Sequence, residues 1–415
     1  MNKDTTNQYI RPLEGIRVIE FGQLLAGPFA GCILGYFGAE VIKIEPPEGG
    51  DPIRGWREVE NGTSFWWRSI GRNKKSVTLD LKQQAGRDIA KRLVQKADVV
   101  IENFRPGVME NWGLGPEEMK ASNPGLVYAR ISGFGQTGPY SKKPGFASVC
   151  EGISGFRYLN GHPGDVPVRP NLSIGDTISG IHAALGIALA IIQRQKDPAH
   201  QGQVVDVALY ESMFNLLEAV IPEYSGAGVV REASGTTVTG IVPTNTYTCQ
   251  DGKHVVIGGN GDSIFKRLMQ AAKREDLAQD PRLSSNAGRV EHEAEIDEVL
   301  AKWCATLPAD SILNVLAEYR VPAGPIYNVE DMMQDRHFNE RGLFETVEID
   351  GKPLKIPAIL PKLQDSPGKT DWPGGKVGQH NHQVLTELLA LDESELSELM
   401  QTGALGSNPL MEKQQ

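Results

Sequence analysis

The chain has 415 residues, enough for about two or three domains, and 40% of them are apolar, ample for sizeable cores. Its net charge of −10, without a basic run or basic–aromatic interleaving, argues against nucleic acid as a partner. Four scattered cysteines (Cys32, Cys150, Cys249, Cys304) form no CxxC pair, no run reaches the length of a membrane span, and the polar start MNKDTTNQYIRP lacks a signal-peptide core. Together these argue against a zinc knot, a disulfide framework or a membrane partner, and place the chain in a reducing compartment, the cytoplasm or an organelle matrix.

The first half alternates strands with helices. IRVIEF (Ile16–Phe21) reads as a buried strand, followed by a turn and a small-residue helix in GQLLAGPFAGCILGYFGAE. EVIKIEPP (Glu40–Pro47) is a second strand stopped by prolines, KSVTLDL (Lys75–Leu81) a third, DVVIENF (Asp98–Phe104) a fourth and LVYARISGF (Leu126–Phe134) a fifth. Between them, GRDIAKRLVQKA repeats apolar residues at helical spacing. This order predicts an α/β fold with a mostly parallel sheet covered on both faces. Ligands gather at the carboxyl ends of such strands, which singles out Leu79–Lys82, Asn103–Arg105 and Gly133–Gly138.

After Asp176 a long helix is expected from about Thr177 to Arg194, with Ile178, Ile181, Leu185, Ala188 and Ile192 as its apolar stripe. Gln203–Tyr224 reads as a strand and then a helix ended by Pro222. A Gly/Ser-rich stretch after it marks a boundary, and TYTCQDGKHVVIGG is a hairpin by its Asp251-Gly252 turn. Helices follow to about Tyr319, then a second linker, a second hairpin (Leu343–Ala358), a loop and terminal helices. The expected layout is residues 1–224, a linker at 225–240, a smaller unit at 241–320, a linker at 321–342, and a closing segment at 343–415.

Several motifs fail their context tests. GQLLAGP lacks the Gly-Lys-Ser/Thr end of a phosphate loop. GFGQTG (Gly133–Gly138) fits GxGxxG, but Pro139 follows and no helix opens; a flexible glycine loop or a plain turn fits better. GGNGD (Gly258–Asp262) could cradle an anion or simply turn the chain. The eight histidines show no metal spacing; His380 and His382 read as loop residues and His182 as packed. RNKKS (Arg72–Ser76) is the densest positive patch, either a solvated face or an anion site.

One carboxylate stands apart. In VPVRPNLSIGDTISG, Asp176 lies among Gly175, Thr177, Ser179 and Gly180, whose small size leaves room for a bulky reactant. It could serve as a covalent nucleophile, or merely as the N-cap of the following helix.

The order PLEGIRVIEF, LLAGPFAG, LGYFGAEVIKIEPPEGGDPIRGW, GRNKKSVTLDLK, DVVIENFRPG, ISGFGQTGP and SIGD resembles the class III CoA-transferases, the family of formyl-CoA and carnitine CoA-transferases, from Pro12 to about Leu391. The resemblance implies a discontinuous Rossmann-like large domain and a small α+β domain joined by long linkers, in an interlocked homodimer. It implies Asp176 as the nucleophile: its carboxylate attacks an acyl-CoA thioester, the resulting anhydride is converted by CoA into an aspartyl-CoA thioester, and an acceptor acid reverses the sequence. CoA thioesters are then substrates, and no metal or tightly bound cofactor is needed.

By position, the resemblance assigns CoA contacts to Leu79, Asp80, Leu81, Lys82, Asn103, Phe104 and Arg105, with Leu25 beside the thioester and Lys143 and Phe146 as further contacts. The loop of Gly133, Gly135 and Gly138 would close over the intermediate. There are departures: Pro46 and Asn111 replace basic residues, Leu25 replaces a catalytic glutamine (Gln23 is close), and the small-domain glycine loop is shortened to Gly258–Gly261. These argue against formyl-CoA:oxalate specificity. The VALYESMFNLLEAVIPEY segment is similar to the branch using succinyl-CoA and a small dicarboxylic or hydroxy-dicarboxylic acid. A second carboxylate needs a cation, and Arg169, Arg54 and Arg57 are the candidates. The rivals are an α-methylacyl-CoA racemase, whose histidine position reads Phe146 or Ala147 here, and a non-catalytic CoA-binding protein.

Overall fold

The computed structural model describes residues 9–406, which divide into two compact units. Among these residues the larger comprises 9–156, 170–218 and 342–406, and the smaller Arg157–Arg169 and Ala219–Arg341.

The larger unit is built on a six-stranded sheet of β1 (Arg17–Glu20), β2 (Glu40–Glu45), β3 (Lys74–Thr78), β4 (Val99–Glu102), β5 (Val127–Ser132) and β6 (Val204–Ala208). All pairings are parallel and the spatial order is β3-β2-β1-β4-β5-β6. That is the doubly wound order, whose direction of winding reverses between β1 and β4. Short runs such as RVIE and VVIE suit these places because both faces are covered, so apolar side chains are buried on either side.

One face packs on helix α1 (Ala26–Tyr36) and the long helix α4 (Ile174–Lys196), with Val18, Val41, Val99, Val127 and Ile131 meeting Ala30, Leu34, Ala183, Ile187 and Ile191. The other packs on helix α2 (Gln84–Val94) and the closing helices α8 (Asn381–Leu389) and α9 (Glu393–Gln401). Each fully buried Val, Leu or Ile contributes about 1.5–3 kcal/mol, so the closing segment belongs to this core. Asn381 pins it: its side chain accepts the Thr78 N–H at 2.8 Å and donates to Thr78 Oγ1 at 2.8 Å and the Gly406 carbonyl at 3.0 Å. Helix α3 (Ala147–Ile153) lies before α4 in the chain and packs against it. A hairpin of β10 (Phe344–Ile349) and β11 (Lys352–Pro357) completes this unit.

The smaller unit pairs β7 (Thr244–Thr248), β8 (His254–Gly258) and β9 (Ala323–Pro325) antiparallel, over a helical core that includes α5 (Asp262–Ala271), α6 (Glu293–Cys304) and α7 (Ala309–Glu318).

Several expectations are corrected. Helix α4 begins at Ile174, and its core face is Ala183, Ala184, Ile187, Ala190 and Ile191; Ile181, Leu185 and Ile192 of the expected stripe are exposed. Small residues let α4 approach α1 closely: a Cβ on Gly180 would lie 2.9 Å from the Ala26 carbonyl oxygen. By length and composition α4 could also cross a membrane, contrary to the sequence reading, although its small-residue face is buried in the core. Pro222 does not end a helix but sits in the first turn of Val220–Ala227, where its missing N–H costs nothing. His380 and His382 lie at the start of α8; His380 Nδ1 accepts the Ser76 N–H at 3.0 Å.

Candidate active site

The carboxyl ends of four adjacent strands surround one cavity of about 470 Å³. Its walls are Phe21 and Gln23 after β1, Pro46, Pro47 and Glu48 after β2, Leu79 to Lys82 after β3, and Phe104 after β4, with Trp112 and Gly403. Phe104 meets Trp112 edge-on at 5.2 Å, so one side is aromatic. Asn103 bridges the two strand ends at the reversal point: it accepts the Gln23 N–H at 2.7 Å and donates to the Gln23 carbonyl at 2.9 Å.

Behind the first loop lies a buried charge network. Lys43, fully buried on β2, is 3.1 Å from Glu20 and 2.9 Å from Asp51 and donates to the Gly22 carbonyl. Burial alone would strip its proton, but Asp51, Glu20 and Glu45 hold it charged above the ordinary lysine value. Asp51 accepts the N–H of Leu24 at 3.0 Å and of Ile53 at 3.0 Å. Glu45 takes a bidentate pair from Arg54 at 2.7 and 2.7 Å and a bond from Ser76 at 2.6 Å. Lys74 reaches Glu20 at 2.8 Å.

Asp176 lies in the first turn of α4 and is not its cap, because the cap position is Ser173. The N-cap alternative is therefore overturned. Asp176 and Gly180 are one turn apart and share a helix face, and Gly180 rests on Ala26. Asp176 thus leaves α4 on the side of the opening turn of α1, with its Cβ directed toward the start of its own helix. Helix α3 flanks the same turn. Glu151 is buried and accepts the Gly175 N–H at 3.4 Å. Burial, then the charges of Asp176 and Glu151, push the Cys150 thiol up to about 11, and that thiol donates to the Gly133 carbonyl at 3.2 Å.

The residues singled out from sequence fall in three places. Leu79, Asp80, Leu81, Lys82 and Phe104 line the cavity, Asn103 clasps the adjoining loop, and Arg105 is exposed just beyond. Leu25 is the N-cap of α1. Phe146, 68% exposed, is the N-cap of α3, and the Lys143 ammonium lies 3.6 Å from the Tyr140 ring centroid. Gly133 packs on Gly145, while Gly135 and Gly138 take positive φ of 80° and 80° in the turn that follows. Arg169 lies in the smaller unit.

Three positive features change meaning. Arg54 is spent on Glu45. Arg72 and Lys74 of the RNKKS patch are buried in ion pairs with Glu345 and Glu20, so the patch is neither a solvated face nor an anion site. At the Gly258–Asp262 turn the Asn260 carbonyl and the Asp262 carboxylate accept from buried Arg289 at 2.6 and 2.9 Å, so that arginine is spent on the turn. Sequence reading missed Lys43, Glu20, Asp51 and Glu151 altogether. The one signal was a lysine between isoleucines in EVIKIE.

Residues 13–381 match the profile of CoA-transferase family III. The chain belongs to this family. It is 46% identical to the succinyl-CoA–D-citramalate CoA-transferase of Chloroflexus aurantiacus, over 94% of this chain and 97% of that protein. It is 40% identical to the alpha subunit of the succinyl-CoA–L-malate CoA-transferase of Chloroflexus aurantiacus, over 96% of this chain and 94% of that protein. A solved structure of a CAIB/BAIF family protein from Brucella suis aligns with a TM-score of 0.80 and 33% identity, covering 91% of this chain and 99% of the other. The chain is thus an enzyme, a CoA-transferase, and CoA thioesters are the substrates of its reaction.

Proposed function

We propose that this transferase moves CoA from succinyl-CoA to a small dicarboxylic or hydroxy-dicarboxylic acid through a covalent intermediate on Asp176. The observation that carries the reading is the placement of Asp176, in the first turn of α4 and on the face that packs against the opening of α1. The carboxylate attacks the donor thioester and expels CoA thiolate, leaving a mixed anhydride. The thiolate attacks the aspartyl carbonyl, releases succinate and leaves an aspartyl-CoA thioester. The acceptor carboxylate then displaces the thiolate, which returns to the acceptor's acyl carbon and frees Asp176. No side chain caps α1, and the N–H groups of Ala26 and Gly27 in its first turn (Pro28 carries none) suit a developing oxyanion.

The adenosine end of CoA fits the strand-end cavity, with Phe104 and Trp112 as an aromatic wall and Lys82 beside a phosphate. The succinyl-CoA and dicarboxylate assignment follows the names of the two transferases described above. In this reading Leu25 lies by the thioester, Lys143 and Phe146 extend the CoA contacts, the Gly133–Gly138 loop covers the intermediate, and Arg169 meets the acceptor's second carboxylate.

An interlocked homodimer is part of the proposal, with residues 1–224 and 343–415 as the large domain, 241–320 as the small one, and 225–240 and 321–342 as linkers. Ile181, Leu185, Leu189 and Ile192 make an exposed apolar face on α4 that a second copy would cover. Four reduced, buried cysteines fit a cytoplasmic setting.

The test is intact-protein mass spectrometry after incubation with succinyl-CoA, with hydroxylamine or borohydride trapping and peptide mapping. An adduct on Asp176, lost in Asp176→Asn together with at least about a thousandfold of kcat, is the expected result. Full activity of Asp176→Asn, with conversion back to aspartate excluded by mass, would remove the nucleophile.

A further inference from the structure

The loop between β1 and α1 is held in an unfavourable shape by groups that reach its backbone from behind the cavity, of which Asp51 also donates its N–H to Glu45 in the cavity wall at 2.8 Å. Leu24 has φ of 63°, the left-handed region that a branched-chain hydrophobe rarely enters. Strain of this kind persists only where the surroundings over-determine it. Here they do so from three directions. Asp51 accepts the Leu24 N–H with both oxygens, at 3.0 and 3.2 Å. Lys43, held by Asp51 and Glu20, donates to the Gly22 carbonyl. Asn103 grips both backbone groups of Gln23.

Three successive residues, Gly22 to Leu24, are thus clamped, and the next residue is the uncapped N-cap of α1. A relaxed loop would turn that first helical turn away from α4. A buried ion pair is a poor way to gain stability, since apolar residues of the same volume do as well or better. Its usefulness here is geometric.

We propose that Asp51, with its buried partner Lys43, is a positioning residue for CoA transfer, holding Leu24 at positive φ and thereby aiming the opening turn of α1 at Asp176. The inference rests on the reading of Asp176 as the reacting group. Neither Asp51 nor Lys43 touches substrate; each acts through the loop backbone.

The test uses the full-length enzyme, steady-state CoA transfer from succinyl-CoA, and the acceptor acid found by screening. Asp51→Ala is expected to lower kcat about a hundredfold, the scale for a displacement of about 1 Å, with the KM for succinyl-CoA changed less than about threefold. Glycine enters positive φ without penalty, so adding Leu24→Gly to Asp51→Ala is expected to restore about tenfold, the equivalent of the left-handed strain of one residue. A merely structural role would lower melting temperature and active fraction without this rescue.

If Asp51→Ala fails to fold, Asn103→Ala removes the third grip from a half-buried site and is expected to show the same loss in kcat. Folded Asp51→Ala or Asn103→Ala with kcat within threefold of wild type would overturn the proposal, as would a double variant no faster than Asp51→Ala. These rates report on the loop whatever the nucleophile is, whereas trapping and Asp176→Asn report on the nucleophile, so the two failures are separable.

Discussion

Gly31→Ala puts the smallest possible probe into the charge network. A Cβ at Gly31 would lie 1.8 Å from Glu20 Oε2. Ordinary contact begins near 3.4 Å, so the carboxylate must retreat by about 3.4 − 1.8 = 1.6 Å. A glutamate end on the surface would do this at little cost. Glu20 is fully buried and locked between Lys43 at 3.1 Å and Lys74 at 2.8 Å. Breaking such a buried pair costs about 3–5 kcal/mol, and alanine over glycine in a helix returns about 1 kcal/mol. The net loss is about 2–4 kcal/mol, which lowers the melting temperature by on the order of 5–15 °C for a unit of this size. Differential scanning calorimetry and urea unfolding read it. Glu20→Ala added to Gly31→Ala removes the clashing group, so the two changes are expected to be strongly non-additive. A Gly31→Ala protein melting within 1 °C of wild type would refute the reasoning, because Glu20 would then be free to move.

Glu45 gives a pH signature. Burial raises its pKa, but the Arg54 pair, Lys43 and Ser76 outweigh burial and hold it below the ordinary carboxylate value. A lowered carboxylate contributes stability above its unfolded pKa of about 4.5 and loses it as pH falls through the folded value. The stability gap between wild type and Glu45→Gln in urea unfolding should therefore be constant from pH 7 to 5 and close below that; a gap that closes above pH 5 would contradict this. Asn381→Ala deletes three hydrogen bonds and leaves the buried Thr78 N–H unpaired, for about 2–4 kcal/mol. The expected readout is earlier proteolytic loss of the C-terminal segment, and a change under 0.5 kcal/mol would show that the segment is held elsewhere. Lys82→Ala should raise the KM for acyl-CoA about fivefold at low salt and less at 0.5 M salt, because an exposed charge is screened. An equal effect at both salts would mean that Lys82 acts by shape.

The strands were legible because a parallel sheet covered on both faces needs short apolar runs, and RVIEF, EVIKIE, DVVIENF and LVYARIS are such runs. The cavity position followed from the same pattern, since Leu79–Lys82 and Asn103–Phe104 are strand ends. The face of α4 was not legible. A hydrophobic stripe is read by its bulkiest residues, and here these are Ile181, Leu185 and Ile192, which are exposed. The core face is Ala183, Ala184, Ala190 and two isoleucines, because the close approach to α1 leaves room only for small side chains. Periodicity alone does not separate a core face of small residues from an exposed face of large ones.

The buried charges were missed for a related reason. In IRVIEF and EVIKIE the alternation of apolar and charged residues suggests Glu20, Lys43 and Glu45 on a wetted face. Yet the sheet has helices on both sides, so at the central strands no wetted face exists. A charge there must find a partner on the neighbouring strand or the loop beyond it, and Glu20, Lys43, Lys74, Glu45, Arg54 and Asp51 do this across β1, β2, β3 and the turn after β2. The basic residues that would otherwise attract an anion are thereby neutralised from within. In the proposed mechanism the backbone at the opening of α1 is a fixed dipole for charge developing at Asp176, and its direction depends on one loop. A site that relies on backbone N–H groups needs that loop immobile, and buried ion pairs at the reversal point of the sheet supply the immobility.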